Sequence, residues 1–293
     1  MKKILKITLI ILISYYVYFF LKNIVIWKEI FTNTINLWLF KVVVGIIPMY
    51  VLSSILIGVG FINNFLFKII NKLKLFENKK AFDLFIISFL CGTPTTSIIT
   101  KESYLNNEIT YKQASNIINN CSFISFLFLS MMLERKLFFV ISSSQIIASI
   151  TMYSCTNHNI NKYKYIENTN YTIINNINTI IDELPLILLK ILMTMLLVSV
   201  IITPFQKYSL FLNIFEVTIG LNNIINNNYN DYINIVLINS LLSLNGMAII
   251  LQVYNVIKKT RLNFKHFLIS RLIHAIISVF LSLIILFIVN FFS

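Results

Sequence analysis

Polar interruptions break the apolar stretches of this chain, and they hold most of the side chains able to do chemistry. The first lies in residues 89–101, "FLCGTPTTSIITK", where Cys91, Gly92, Thr93, Pro94, Thr95, Thr96 and Ser97 stand in place of lipid-facing residues. Pro94 removes a backbone donor and disfavours helical geometry at Thr93, while Gly92 permits a turn or a close approach. Thr95, Thr96 and Ser97 then open a new half-helix, whose free N–H groups and positive dipole end favour an anion such as a carboxylate. Their hydroxyls add donors, and Lys101 lies one turn further along. The next interruption is Asn119, Asn120, Cys121 and Ser122, of which the two Asn and the Ser join the candidate binding set. A further one is Asn245-Gly246 in "LLSLNGMAIILQ", with Gln252 following. Glu216 is the acid that sits well inside an apolar stretch, and Arg271 and His274 sit at i and i+3 near the start of the last apolar run. Charges inside a membrane are costly and usually functional. Plainer readings stand beside these: a proline kink whose hydroxyls bond back into their own helix, an interfacial Glu216, a snorkelling Arg271, a packed neutral His274.

Signatures of catalysis are missing. The sequence has no HExxH, no P-loop and no intramembrane Asp pair, and Asp83, Asp182 and Asp231 lie at segment ends. Cys91, Cys121 and Cys155 are scattered, without a CxxC pair or a His at ligand spacing, which argues against a disulfide framework and a metal site. The expected chemistry is binding of a small-molecule anion, not an enzymatic reaction, and it requires no cofactor.

The elements that position these residues follow from composition. Of 293 residues, 57% are hydrophobic and 12% charged, with a mean hydropathy of +0.81. A soluble domain carries about twice that charge fraction. The expected fold is an all-α polytopic membrane protein with about eight hydrophobic segments near spanning length. These fall at residues 4–21, 37–62, 83–100, 123–133, 137–153, 184–203, 232–257 and 264–292. The run after Met1-Lys2-Lys3 lacks a small-x-small cleavage site and is expected to be retained. The net charge of +13 is explained by Lys and Arg gathering at membrane ends, so the expected partner is the lipid bilayer and not a nucleic acid. Trp27 and Trp38 are placed as interfacial anchors, and Thr110 with Gln113 predicts a capping box.

Residues 1–36 are expected to form an anchor and interfacial segment, 37–155 a first repeat, 156–183 a polar linker and 184–293 a second repeat. Setting Gly92 beside Gly246 aligns the two halves, each with an interrupted or re-entrant helix. Paired interruptions of this kind point to a transporter binding site. Two topologies fit. If every apolar run crosses, the basic clusters at 68–80, 135–136 and 258–265 share one side, as the positive-inside rule asks. If the breaks are hairpin tips, the halves are inverted and some basic loops change sides.

The fragments "IIPMYVLSSILI", "CGTPTTSIITKESYLNNEITYKQASNIINNCSFISFLF", "FEVTIGL", "LSLNGMAIILQV" and "RLIHAIIS" occur in the order of matching elements in one known family. Through them the chain resembles the YlbJ-type sporulation integral membrane proteins, relatives of the nucleoside-recognition gate domain. Cys91 stands where that family has Ser, Thr96 where it has a second Gly, and Ile98 where it has Lys, with Lys101 three residues on. Asn245 and Ile250 replace a Gly and a His, while Gly246 and Gln252 are kept. The resemblance implies a gate scaffold that moves dipicolinic acid across the outer forespore membrane during sporulation. Transport of another solute such as a nucleoside, or a membrane scaffold without a solute, are the alternatives.

Overall fold

All regular structure among the described residues is helical, as lipid demands, because a helix pairs its backbone groups within itself. The computed structural model describes residues 2–58, 76, 79–93, 95–156, 173–205, 215–227, 229–258 and 260–292. Within them five helices are long and apolar enough to cross a membrane: Ile24–Leu52, Arg135–Thr156, Leu184–Ile202, Asp231–Ile257 and Phe264–Phe291. Large exposed apolar side chains such as Phe40, Met193, Ile276 and Phe287 cover their outward faces, the surface expected of a membrane contact.

Helix α1 is Lys2–Lys22, and α2 is Ile24–Leu37. A π turn, Trp38–Val43, carries α2 directly into α3, Val44–Gly58. Pro48 has no N–H to give the carbonyl one turn earlier, and the widened turn lies just before it. The span expected at 37–62 therefore begins at Ile24, and the boundary expected at residue 36 falls inside a helix. Trp27 is buried and Trp38 donates Nε1–H to the Leu188 carbonyl at 3.1 Å, so both pack against protein and neither serves as an interfacial anchor.

Helices α4, Lys79–Cys91, and α5, Thr95–Leu105, are the arms of a hairpin. The ion pair Lys80–Glu108, at 2.9 Å, brings the start of α4 to the end of α5. At 1.5 Å per residue the arms are about 20 and 17 Å long, short of a hydrocarbon core of about 30 Å. The stretch 83–100 thus turns back on itself and forms no helix of spanning length. Helix α6, Tyr111–Asn120, opens on the capping box that Thr110 and Gln113 predict. Five non-helical residues, 121–125, lead into α7, Phe126–Met132, and then α8, Arg135–Thr156.

The second half begins with α9, Ile173–Ile202, which takes in the last third of the expected linker. Its Ile173, Ile174, Ile177, Ile180 and Ile181 recur at helical spacing, and the intervening Asn residues do not stop it. Residues 157–172 of that linker lie outside the described residues. Then come α10, Val217–Asn226, α11, Asp231–Leu244, α12, Gly246–Ile257, and α13, Phe264–Phe292. Asn245 and Gly246 have φ of +66° and +54°, a left-handed step that separates α11 from α12.

Helix α13 meets Ser243 through Ser278 and Tyr254 through Phe264, so α11 and α12 make one kinked crossing antiparallel to it. It also meets α8, where His274 bonds Ser149. Near the same end Ser270 reaches Asn119, and Asn120 reaches Thr156. Arg135 then lies about 20 Å from Ser149 in one direction and Phe264 about 15 Å from His274 in the other. The basic residues at 135–136 and at 258–265 therefore sit at opposite ends, the arrangement that hairpin breaks require. Lys136 pairs with Asp231 at 2.8 Å, which offsets its charge at that end.

Candidate functional site

The site is built from two pairs of segments: the breaks at Gly92 and at residues 121–125, and the break at Asn245-Gly246 with the start of α10. In the first pair, Gly92 turns the hairpin tip with φ +74°, and a Cβ there would lie 2.5 Å from the Ser125 nitrogen. The Thr93 N–H donates to the Phe123 carbonyl at 2.7 Å, and the Ser125 hydroxyl donates to the Leu90 carbonyl at 3.0 Å. Each break takes up backbone groups that the other frees, which lipid could not do. In the second pair the Ala248 N–H donates to the Phe215 carbonyl at 3.1 Å. Gly92 is thus joined to residues 123–125, and the segment just after the Asn245-Gly246 break to Phe215.

Between the pairs lies a cavity of about 70 Å³. Thr93 and Ser125 reach it from the first pair, and Glu216, Thr218, Ala248 and Gln252 from the second. Val42, Ile46, Phe128, Ile191 and Met195 supply apolar wall. Glu216 is buried and caps α10, its Oε2 accepting the Ile219 N–H at 2.7 Å. That helix N-terminus already holds a carboxylate of the chain's own, so it is not free for a solute's. Among the described residues no basic side chain lines the cavity.

Two larger grooves flank it. One, of about 680 Å³, is lined by Lys101, Lys190 and Lys258 with the acid Glu102, and shares Gln252 with the cavity. The other, of about 730 Å³, is lined by Asn33, Asn36, Lys41, Ser199, Asn222 and Asn223. Along α9 the three follow in order: residues 186–194 line the lysine groove, Ile191 and Met195 the cavity, and Ser199, Ile202 and Thr203 the asparagine groove. From 186 to 203 is about 25 Å of helix, close to the thickness of a hydrocarbon core of about 30 Å.

The chain matches no family model, no curated protein and no solved structure. Its site residues therefore rest on geometry. Of the candidates read from sequence, Thr93, Glu216 and Gln252 share the cavity, and Lys101 lines the adjoining groove. Thr95, Thr96 and Ser97 are buried in the first turn of α5 without lining it; the Thr96 hydroxyl and N–H both go to the Gly92 carbonyl, at 3.1 and 3.2 Å. Pro94 lies outside the described residues. Asn245 and Gly246 form the second break, one turn from Ala248 and Ile249, which line the cavity in their place.

Asn119, Asn120 and Ser122 serve the scaffold. The buried Arg271 donates to the carbonyls of Asn119 and Ser122, the latter at 3.1 Å, and Ser270 adds a bond to Asn119 at 2.7 Å. A cation thus caps the negative end of α6, where the helix breaks and its carbonyls are exposed. Arg271 therefore neither snorkels nor reaches the cavity. His274 is held between Ser149 and Ser243, also away from it. Sequence reasoning missed Ser125 and Thr218; the signal available for Thr218 was its place two residues after Glu216 in "FEVTIGL".

Proposed function

We propose that the chain is a membrane transporter for a small solute, which passes along α9 through the central cavity. The observation that carries this reading is the row of lysine groove, small central cavity and asparagine groove over about 25 Å of one helix. Solute sites at the meeting point of interrupted helices are the pattern of secondary transporters. The paired segments support two inverted repeats: the α4–α5 hairpin, α6–α7 and α8 in one, and α10, α11–α12 and α13 in the other.

The solute class is a small anion, on the strength of Lys101, Lys190 and Lys258 at the mouth of one groove. The resemblance to sporulation gate proteins makes dipicolinate the first solute to test. The cavity as it stands is smaller than the ~150 Å³ that accepts a benzene ring. A pyridine dicarboxylate would enter only when groove and cavity merge. Phe128 is the one aromatic side chain on the cavity wall, which gives little support to base stacking and hence to a nucleoside.

Proteoliposomes holding only this protein should take up dipicolinate, and excess pyridine dicarboxylate should compete while uridine should not. Lys101→Gln with Lys190→Gln should lower uptake at low solute concentration by about tenfold. Uptake no faster than in empty vesicles, with protein correctly inserted, would end the transport reading and leave a scaffold.

A further inference from the structure

An anion path that runs past a buried carboxylate poses an electrostatic problem, and the cavity contains the means to solve it. Glu216 is buried with no ion pair among the described residues. Arg271 is committed to the α6 carbonyls, and the lysines of the neighbouring groove do not line the cavity. Burial opposes a charge on this carboxylate, and the Ile219 N–H on Oε2 offsets only part of that cost. A buried charge of that kind needs a counter-charge.

Two other oxygens face the same space without partners. The Thr93 hydroxyl is buried and has no hydrogen-bond partner among the described residues. Gln252 is 7% exposed, and its Oε1 also lacks a partner there. The amide orientation is set by Thr194. That hydroxyl spends its proton on the carbonyls of Lys190 and Ile191, at 3.0 and 2.8 Å, so toward Gln252 it can only accept. Gln252 must give it Nε2–H, which leaves the amide oxygen for the cavity.

We propose that this cavity binds a sodium ion through the Glu216 carboxylate, the Thr93 hydroxyl and the Gln252 amide oxygen. An all-oxygen set suits a hard cation. With one carboxylate it is balanced by a single positive charge, and among the described residues no cluster of three His, Cys, Asp or Glu exists to hold a divalent ion. One water occupies roughly 10–15 Å³ on the same scale, so about 70 Å³ has room for the ion and water. A proton on Glu216 would neutralise it too, but would leave the Thr93 and Gln252 oxygens without a role. As a coupling site this inference rests on the transport reading; as a binding site it stands alone.

The test uses the full chain in lipid nanodiscs, with sodium exchanged for choline at constant ionic strength. Radioactive sodium should bind saturably, and the unfolding midpoint should rise with sodium and not with choline. Glu216→Gln should abolish both effects, and Thr93→Val should raise the half-saturating sodium concentration about tenfold. Equal responses to sodium and choline, or a sodium response that survives Glu216→Gln, would overturn the inference. So would stabilisation by acid that replaces the sodium effect and vanishes in Glu216→Gln, since it assigns a proton. If Glu216→Gln does not fold, Thr93→Val decides, and an unchanged half-saturating concentration overturns the site. Dipicolinate flux without sodium binding would sink this inference and spare the transport reading; sodium binding without flux would do the reverse.

Discussion

Two buried polar clusters sit within this bundle, and they differ in how their hydrogen bonds close. In the seam of α8, α11 and α13, His274 is bonded to Ser149 at 2.9 Å and to Ser243 at 3.1 Å. Gln145 donates to Asn239 and Ser243, both at 2.8 Å, and Ser243 meets Ser278 at 2.8 Å. Among the described residues only the Asn239 Nδ2 and the nearby Ser142 hydroxyl lack a partner there, and neither stands beside a carboxylate. Around the central cavity, Thr93 and Gln252 keep oxygens that nothing described satisfies, beside a carboxylate with no ion pair among the described residues. An unpaired buried polar group costs about 1–3 kcal/mol, so a chain keeps one where a ligand makes up the loss. In a membrane, then, a polar residue alone does not mark a site. An open valence on a cavity wall does.

The sharpest way to break the contrast is Glu216→Gln, which should lower solute uptake by about a hundredfold, roughly 2.7 kcal/mol, while the protein stays in the membrane. Next is Gly92→Ala. Its positive φ and the approach to the Ser125 nitrogen should cost about 3 kcal/mol of stability, read as loss of folded protein on mild heating in detergent. Ser243→Ala removes one hub of the closed seam, and interhelical bonds in membranes average about 0.6 kcal/mol and reach about 1.7. A fall in unfolding midpoint with uptake within about twofold of normal is the expected result there; a collapse of uptake would give the seam a functional share. Smallest is Lys80→Ala. The pair with Glu108 is partly exposed, at 22% and 30%, and should contribute under about 1 kcal/mol.

Much of this was legible in the residues. Composition announces the helical membrane class, and Gly92 with Pro94 announces a break, because both disrupt a helix locally. Glu216 is conspicuous by burial of a charge in an apolar stretch. The pairing of breaks was not legible, since Thr93 to Phe123 and Ala248 to Phe215 are contacts between distant segments that no local pattern encodes. Nor was the role of Arg271, whose partners lie 149 and 152 residues away. Of the adjacent hydroxyls at 93 and 95–97, the turn at Gly92 decides which one faces the cavity, and composition cannot rank them. The seam did leave a trace: Gln145 and Ser149, then His274 and Ser278, each recur at i and i+4 along apolar helices.

The order of compartments along α9 also sets where voltage acts. Thr194 lines one groove and Ser199 the other, five residues apart, or about 8 Å of helix. Filled with water, the two grooves bring the bulk solutions to within that distance, and the membrane potential falls across it instead of across the whole bilayer. A single charge stepping past Glu216 then crosses most of a field worth about 2.3 kcal/mol per 100 mV. If the proposed transport couples one cation to a dianion, net charge moves through this barrier, and current becomes its direct measure.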